Sequence, residues 1–72
     1  MRNIKPIFIW AKERGDANIY DRIIMKALPQ LVKTDLKLTS KMIEEEKSIE
    51  VDENLYNVIL NITQELIGEK YV

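Results

Sequence analysis

The sequence predicts one small α+β domain spanning residues 1–72, ordered β-α-β-β-α, a three-stranded sheet with two helices on one face. Three observations carry this expectation. Residues 7–11 form an unbroken apolar run, short and dense in β-branched and aromatic side chains. Leu36 and Leu38 alternate with Lys37 and Thr39, as a half-buried strand requires. The stretch between Asp52 and Gly68 carries helix signals at both ends.

In chain order, residues 6–12 read as the first strand, since the segment is too short for a helix and proline is tolerated at a strand's first position. Residues 13–18, ERGDAN, break the pattern, and either Asp16 or Asn18 is suited to cap a helix over residues 19–28. Asn18 is followed three residues later by Asp21, a weak form of the capping box. Proline inside a helix lacks a hydrogen bond and clashes with the preceding turn, at ~3 kcal/mol, so Pro29 ends or kinks this helix. Residues 35–42 read as the second strand, 44–47 as a charged hairpin turn and 48–51 as the third strand. A helix capped by Ser40 and running through EEEK competes with the hairpin, but Met42, Ile43 and Ile49 fit a 3.6-residue period poorly. The last helix spans residues 53–67. Asp52 is its N-cap, Glu53 suits the dipole in its first turn, Gly68 is its terminating residue and Lys70 follows.

Composition narrows the chemistry. The chain has no cysteine and no histidine, which removes disulfides, thiolate nucleophiles, the usual zinc sites and the imidazole base together. A chain this short buries a small fraction of its surface, so close packing or self-association must supply stability. With no cleavable leader and no apolar stretch of membrane length, the expectation is a soluble cytoplasmic protein with no membrane partner. Residues 1–41 hold nine basic and four acidic side chains and residues 42–72 two and eight, leaving +5 and −6 on the two halves.

The predicted helices are too apolar for one sheet to cover. At about 100° per residue, Val58, Ile62, Leu55, Leu66 and Ile59 share a stripe of the last helix, with Thr63, Tyr56, Ile67 and Leu60 beside it, an arc of roughly 200°. Ile19, Tyr20, Ile23, Ile24, Ala27 and Leu28 cover about half of the earlier helix. If Ile7, Ile9 and Ala11 point toward the helices, Phe8 and Trp10 emerge on the opposite sheet face beside Lys37, Thr39, Lys41 and Glu50. An exposed aromatic pair marks an interface. The blander alternative is that Arg2, Lys5 or the terminal Tyr71 and Val72 fold over the rings.

Arg14-Gly15-Asp16 matches the integrin-binding tripeptide, but glycine and aspartate are what a turn into a helix wants. Asn61-Ile62-Thr63 is a glycosylation sequon inside a predicted helix. Glu44, Glu45 and Glu46 are consecutive, so their side chains diverge and read as a solvated turn, not a cation site. No acid and base are spaced to act together, and a single glycine near the first helix is too little for a phosphate loop. No catalytic, cofactor-binding or metal-binding residue is expected.

The expected order β-α-β-β-α, with Ala27-Leu28-Pro29 near the end of the first helix and a long last helix, resembles the DinI-type proteins that modulate recombinase filaments. The likeness implies a small regulator. The acidic last helix of that family is not matched, since after Glu53 the helix holds only Glu65.

The functional expectation is a small non-enzymatic regulatory or inhibitory protein acting through protein–protein interaction with an unidentified partner. Its expected binding residues are Phe8, Trp10, Lys37, Lys41, Tyr56, Leu60 and Ile67. A homodimer is expected, joined through Tyr56, Leu60 and Ile67 or through the Phe8/Trp10 face, with the opposite charges of the two halves favouring an antiparallel arrangement. The alternative is a single-stranded nucleic-acid-binding module, in which Phe8, Trp10 and the interleaved lysines form a stacking platform.

Overall fold

In the computed structural model, which describes residues 1–33 and 39–71, the segment expected to form the first strand is a helix, Lys5–Arg14 (α1). The expectation of a three-stranded sheet with two helices is therefore corrected. Among the described residues there are four helices and one pair of two-residue strands. The reason lies in spacing. Ile4, Ile7, Phe8 and Ala11 fall at i, i+3, i+4 and i+7, and each is at most 1% exposed. Ile9 and Trp10 extend the apolar run but lie off that face, which makes a helical pattern look like a strand. Pro6 sits in the first turn, where its missing N–H is not needed.

Arg2–Asn3 (β1) pairs antiparallel with Glu50–Val51 (β2), Arg2 opposite Val51 and Asn3 opposite Glu50. The end of the expected third strand is thus extended, but it pairs with the N-terminus. Ala17–Leu31 (α2) is capped by Asp16, whose Oδ1 accepts from the Ile19 N–H at 2.8 Å. It neither starts at residue 19 nor stops at Pro29. The proline is exposed, so the Met25 carbonyl that it cannot serve lies on the outer side, and the Val32 N–H closes the helix on the Leu28 carbonyl at 2.9 Å. Gly15 makes the α1–α2 corner possible, because a Cβ there would come within 3.0 Å of Ile19 Cγ2 and 3.2 Å of the Ala11 carbonyl.

Ser40–Glu45 (α3) replaces the end of the expected second strand and the start of the hairpin turn. A helix forms here in place of the hairpin, but the competing expectation is corrected as well: Ser40 is the first helical residue and not the cap, and the helix ends at Glu45 before the EEEK run is complete. It is capped by Thr39, whose Oγ1 accepts from the Met42 N–H at 3.2 Å, and it buries Ile43 completely. Leu36, Lys37 and Leu38, on which the second strand rested, lie outside the described residues. Glu53–Ile67 (α4) has the predicted bounds, with Asp52 accepting from the Leu55 N–H at 2.8 Å and Gly68 in the left-handed conformation at φ 82°. The β-α-β-β-α order behind the likeness to DinI-type proteins is not the order of this chain.

The core lies where α1 and α2 pack on α4, with Ile43 of α3 and Val51 of β2 closing one end. On α4 the buried residues are Tyr56, Ile59 and Thr63. The Thr63 hydroxyl satisfies itself by donating to the Ile59 carbonyl at 2.8 Å.

Candidate interaction surface

The residues expected to bind a partner are scattered by this fold. Phe8 is 1% exposed and belongs to the core, so it cannot serve as an exposed anchor. Trp10 is half-buried under Tyr71, the two rings meeting edge to face at 5.2 Å, while the Tyr71 N–H holds the tail back on Gln64 Oε1 at 2.9 Å. The blander reading, a terminal tyrosine folded over the tryptophan, is what forms; Val72 lies outside the described residues. Tyr56 is buried, with the Arg2 guanidinium 3.9 Å from its ring centre and bound in turn to Glu53. Leu60 and Ile67 are half-buried against the core. Lys41 is exposed and pairs with Glu45 at 3.9 Å, and Lys37 lies outside the described residues. The aromatic sheet face required for stacking single-stranded nucleic acid is absent from the described residues, because Phe8 and Trp10 stand on a helix and neither ring is free.

A different apolar surface is left open. On α4, Val58, Ile62 and Leu66 follow one another at four-residue steps, each about 40° further round the helix, and form a ridge along one shoulder. Val58 is 40% exposed and Ile62 is half-buried without belonging to the core cluster. At its C-terminal end the ridge meets α2, where Leu66 lines a groove with Arg22, Met25 and Lys26. Met25 is 73% exposed. The flexible thioether side chain adapts to many surfaces, which suits an exposed methionine to a contact site.

A second concavity lies between α1, α2 and α3. Tyr20 stands in it with Lys5, Lys12, Asp21 and Glu44 around the rim. Burial pushes the Tyr20 phenol above its ordinary range, and the carboxylates of Glu44 and Asp21 add to the shift. The Lys12 ammonium lies 5.7 Å from the Tyr20 ring centre. Lys5 donates to the carbonyls of Ile43 and Glu44 and so stitches α1 to the end of α3. Lys5 is thus committed to joining α1 to α3, and the rim carries both acidic and basic side chains.

No family model, curated protein or solved structure matches this chain. The reading therefore rests on the geometry alone. Asp16 of the Arg-Gly-Asp tripeptide is engaged as the α2 cap, and among the described residues no three acidic side chains gather as a metal site. No described helix is long and apolar enough to cross a membrane.

The expected binding residues included none of the four on this surface, Met25, Val58, Ile62 and Leu66. Val58 stood in the stripe assigned to the core, while the true core line runs through Tyr56, Ile59 and Thr63. An apolar arc of roughly 200° has no evident centre, and a threonine is a poor marker of one. Met25 had a readable signal, since it falls opposite Ile23 and Ala27 on the helical wheel of α2.

Proposed function

We propose that this chain is a small non-enzymatic regulatory protein that acts in the cytoplasm by protein–protein contact, through the Val58–Ile62–Leu66 ridge and Met25. The observation that carries the reading is the continuity of this surface. Met25, 73% exposed, and Val58, 40% exposed, are joined by half-buried Ile62 and Leu66 across two packed helices. Full burial of a wholly exposed side chain of this size is worth ~1.5–3 kcal/mol, and the part of that still to be gained is largest at Met25. The residues named for the interface move from Phe8 and Trp10, which the fold covers, to these four.

A photo-crosslinking amino acid placed at Val58, and separately at exposed Glu46 as a control, tests this in cells of the native host. Protein adducts formed at position 58 and lacking at 46 are expected. Equal labelling at both positions, or no protein adduct at 58, would contradict the reading.

A further inference from the structure

We infer that the occupant of this ridge is a second copy of the same chain, related to the first by a two-fold axis parallel to α4. The inference rests on the protein-contact reading above and names its partner. Three features of the ridge lead to it.

The first is its spacing. Val58, Ile62 and Leu66 recur at four-residue steps, a row of side chains that fits the groove of a like helix. The second is that its two flanks carry opposite charge. Toward α2, Leu66 shares its groove with Arg22 and Lys26, both exposed and both without an ion pair among the described residues. Away from α2 stands Glu65, exposed, about 100° round the helix from Leu66 and likewise without an ion pair among the described residues.

The third is what symmetry does with those flanks. Rotation about an axis parallel to α4 keeps each residue at its height along the helix and exchanges the flanks. Glu65 of the second copy then arrives at the level of Leu66, on the side of Arg22 and Lys26, and the reciprocal pairing follows. A two-fold axis perpendicular to the plane of the two helices would instead keep like flanks together and set the α2 cations of both copies on one side. Local charge thus selects parallel α4 helices over the antiparallel arrangement suggested by the net charges of the two chain halves. In this arrangement the Met25 side chains close over the Leu66 end of the seam.

Sedimentation equilibrium of the purified full chain, from low to high micromolar concentration, tests the inference. A monomer–dimer equilibrium is expected, and Ile62→Asp should raise its dissociation constant at least about thirtyfold. Glu65→Lys alone, and Arg22→Glu with Lys26→Glu, should each raise it about tenfold, while all three together restore it. Circular dichroism checks that each variant stays helical, and the exposed charge variants keep the test open should Ile62→Asp unfold. A chain that stays monomeric throughout overturns self-pairing, and adducts of another protein at position 58 would then leave the protein-contact reading standing. A dimer indifferent to both Ile62→Asp and Glu65→Lys overturns the ridge as its seam. A dimer weakened by Ile62→Asp but blind to the charge exchange overturns the parallel axis.

Discussion

The N-termini of α1 and α4 are held in opposite ways. On α4 the cap is local: Asp52 binds the N–H of Leu55 three residues on, and at the far end the Gly68 N–H returns to the Gln64 carbonyl at 2.8 Å. On α1 the residue at the cap position is Ile4, which has no side chain to offer. Its neighbour Asn3 substitutes, with Oδ1 accepting from the N–H groups of Lys5 and Ile49, both at 3.0 Å. The Ile4 N–H is itself bound to the Ile49 carbonyl at 2.9 Å. One helix is therefore specified by residues at its own ends, and the other also by Ile49, more than forty residues away. A helix of ten residues is marginal in water by itself, so α1 depends on the tertiary structure that it helps to build.

The sharpest way to break this comparison is to cut into the face that α1 contributes. Phe8→Ala removes a fully buried ring and should lower stability by ~3–5 kcal/mol, whereas Ile9→Ala on the exposed side should stay within ~0.5 kcal/mol. Urea unfolding measures both. A larger loss at Ile9 than at Phe8 would mean that residues 6–12 present alternate faces with Ile9 inward, as in a strand.

That contrast also explains what was legible in the sequence. The bounds of α4 were readable because Asp52, Glu53 and Gly68 act on their immediate neighbours. The α2 cap was readable as one of two candidates, and the turn at Gly15–Asp16 for the same local reason. The helical spacing of Ile4, Ile7, Phe8 and Ala11 was present, but Ile9 and Trp10 filled its gaps, and the cap position itself is held by Ile4, with the capping oxygen coming from Asn3 one residue earlier. The binding surface was harder still. Which side of an apolar helix is left uncovered depends on where its neighbours pack, and with α1 taken for a strand those neighbours were misplaced.

A smaller effect separates the two kinds of cap. Asp52→Ala should cost ~1 kcal/mol and speed amide exchange only in the first turn of α4. Asn3→Ala should cost ~1–2 kcal/mol, because two N–H groups lose their acceptor. Faster exchange should then appear both at Lys5 and at Ile49, and exchange confined to Lys5 would show that the tie between Asn3 and Ile49 carries little.

The smallest expected effect lies at the junction of α1, α2 and α3. The Tyr20 phenol has its folded-state pKa raised by burial and by the neighbouring carboxylates, so the folded protein resists its ionisation. The associated stability is complete below the unfolded value of about 10 and is lost as pH rises from there through the folded value. Tyr20→Phe should flatten the alkaline arm of the stability profile without changing its slope near neutrality. An unchanged alkaline arm would remove Tyr20 from the account.

The central claim is that the contact surface lies on the α4 ridge and Met25 and not on the tryptophan side of α1. Methyl NMR across a dilution series of the full chain tests it directly. Concentration-dependent shifts are expected at Met25, Val58, Ile62 and Leu66, with the core methyls of Ile7, Ile23 and Ile59 unmoved. Shifts confined to the Ile9 methyls, on the tryptophan side of α1, with a silent ridge, would contradict it.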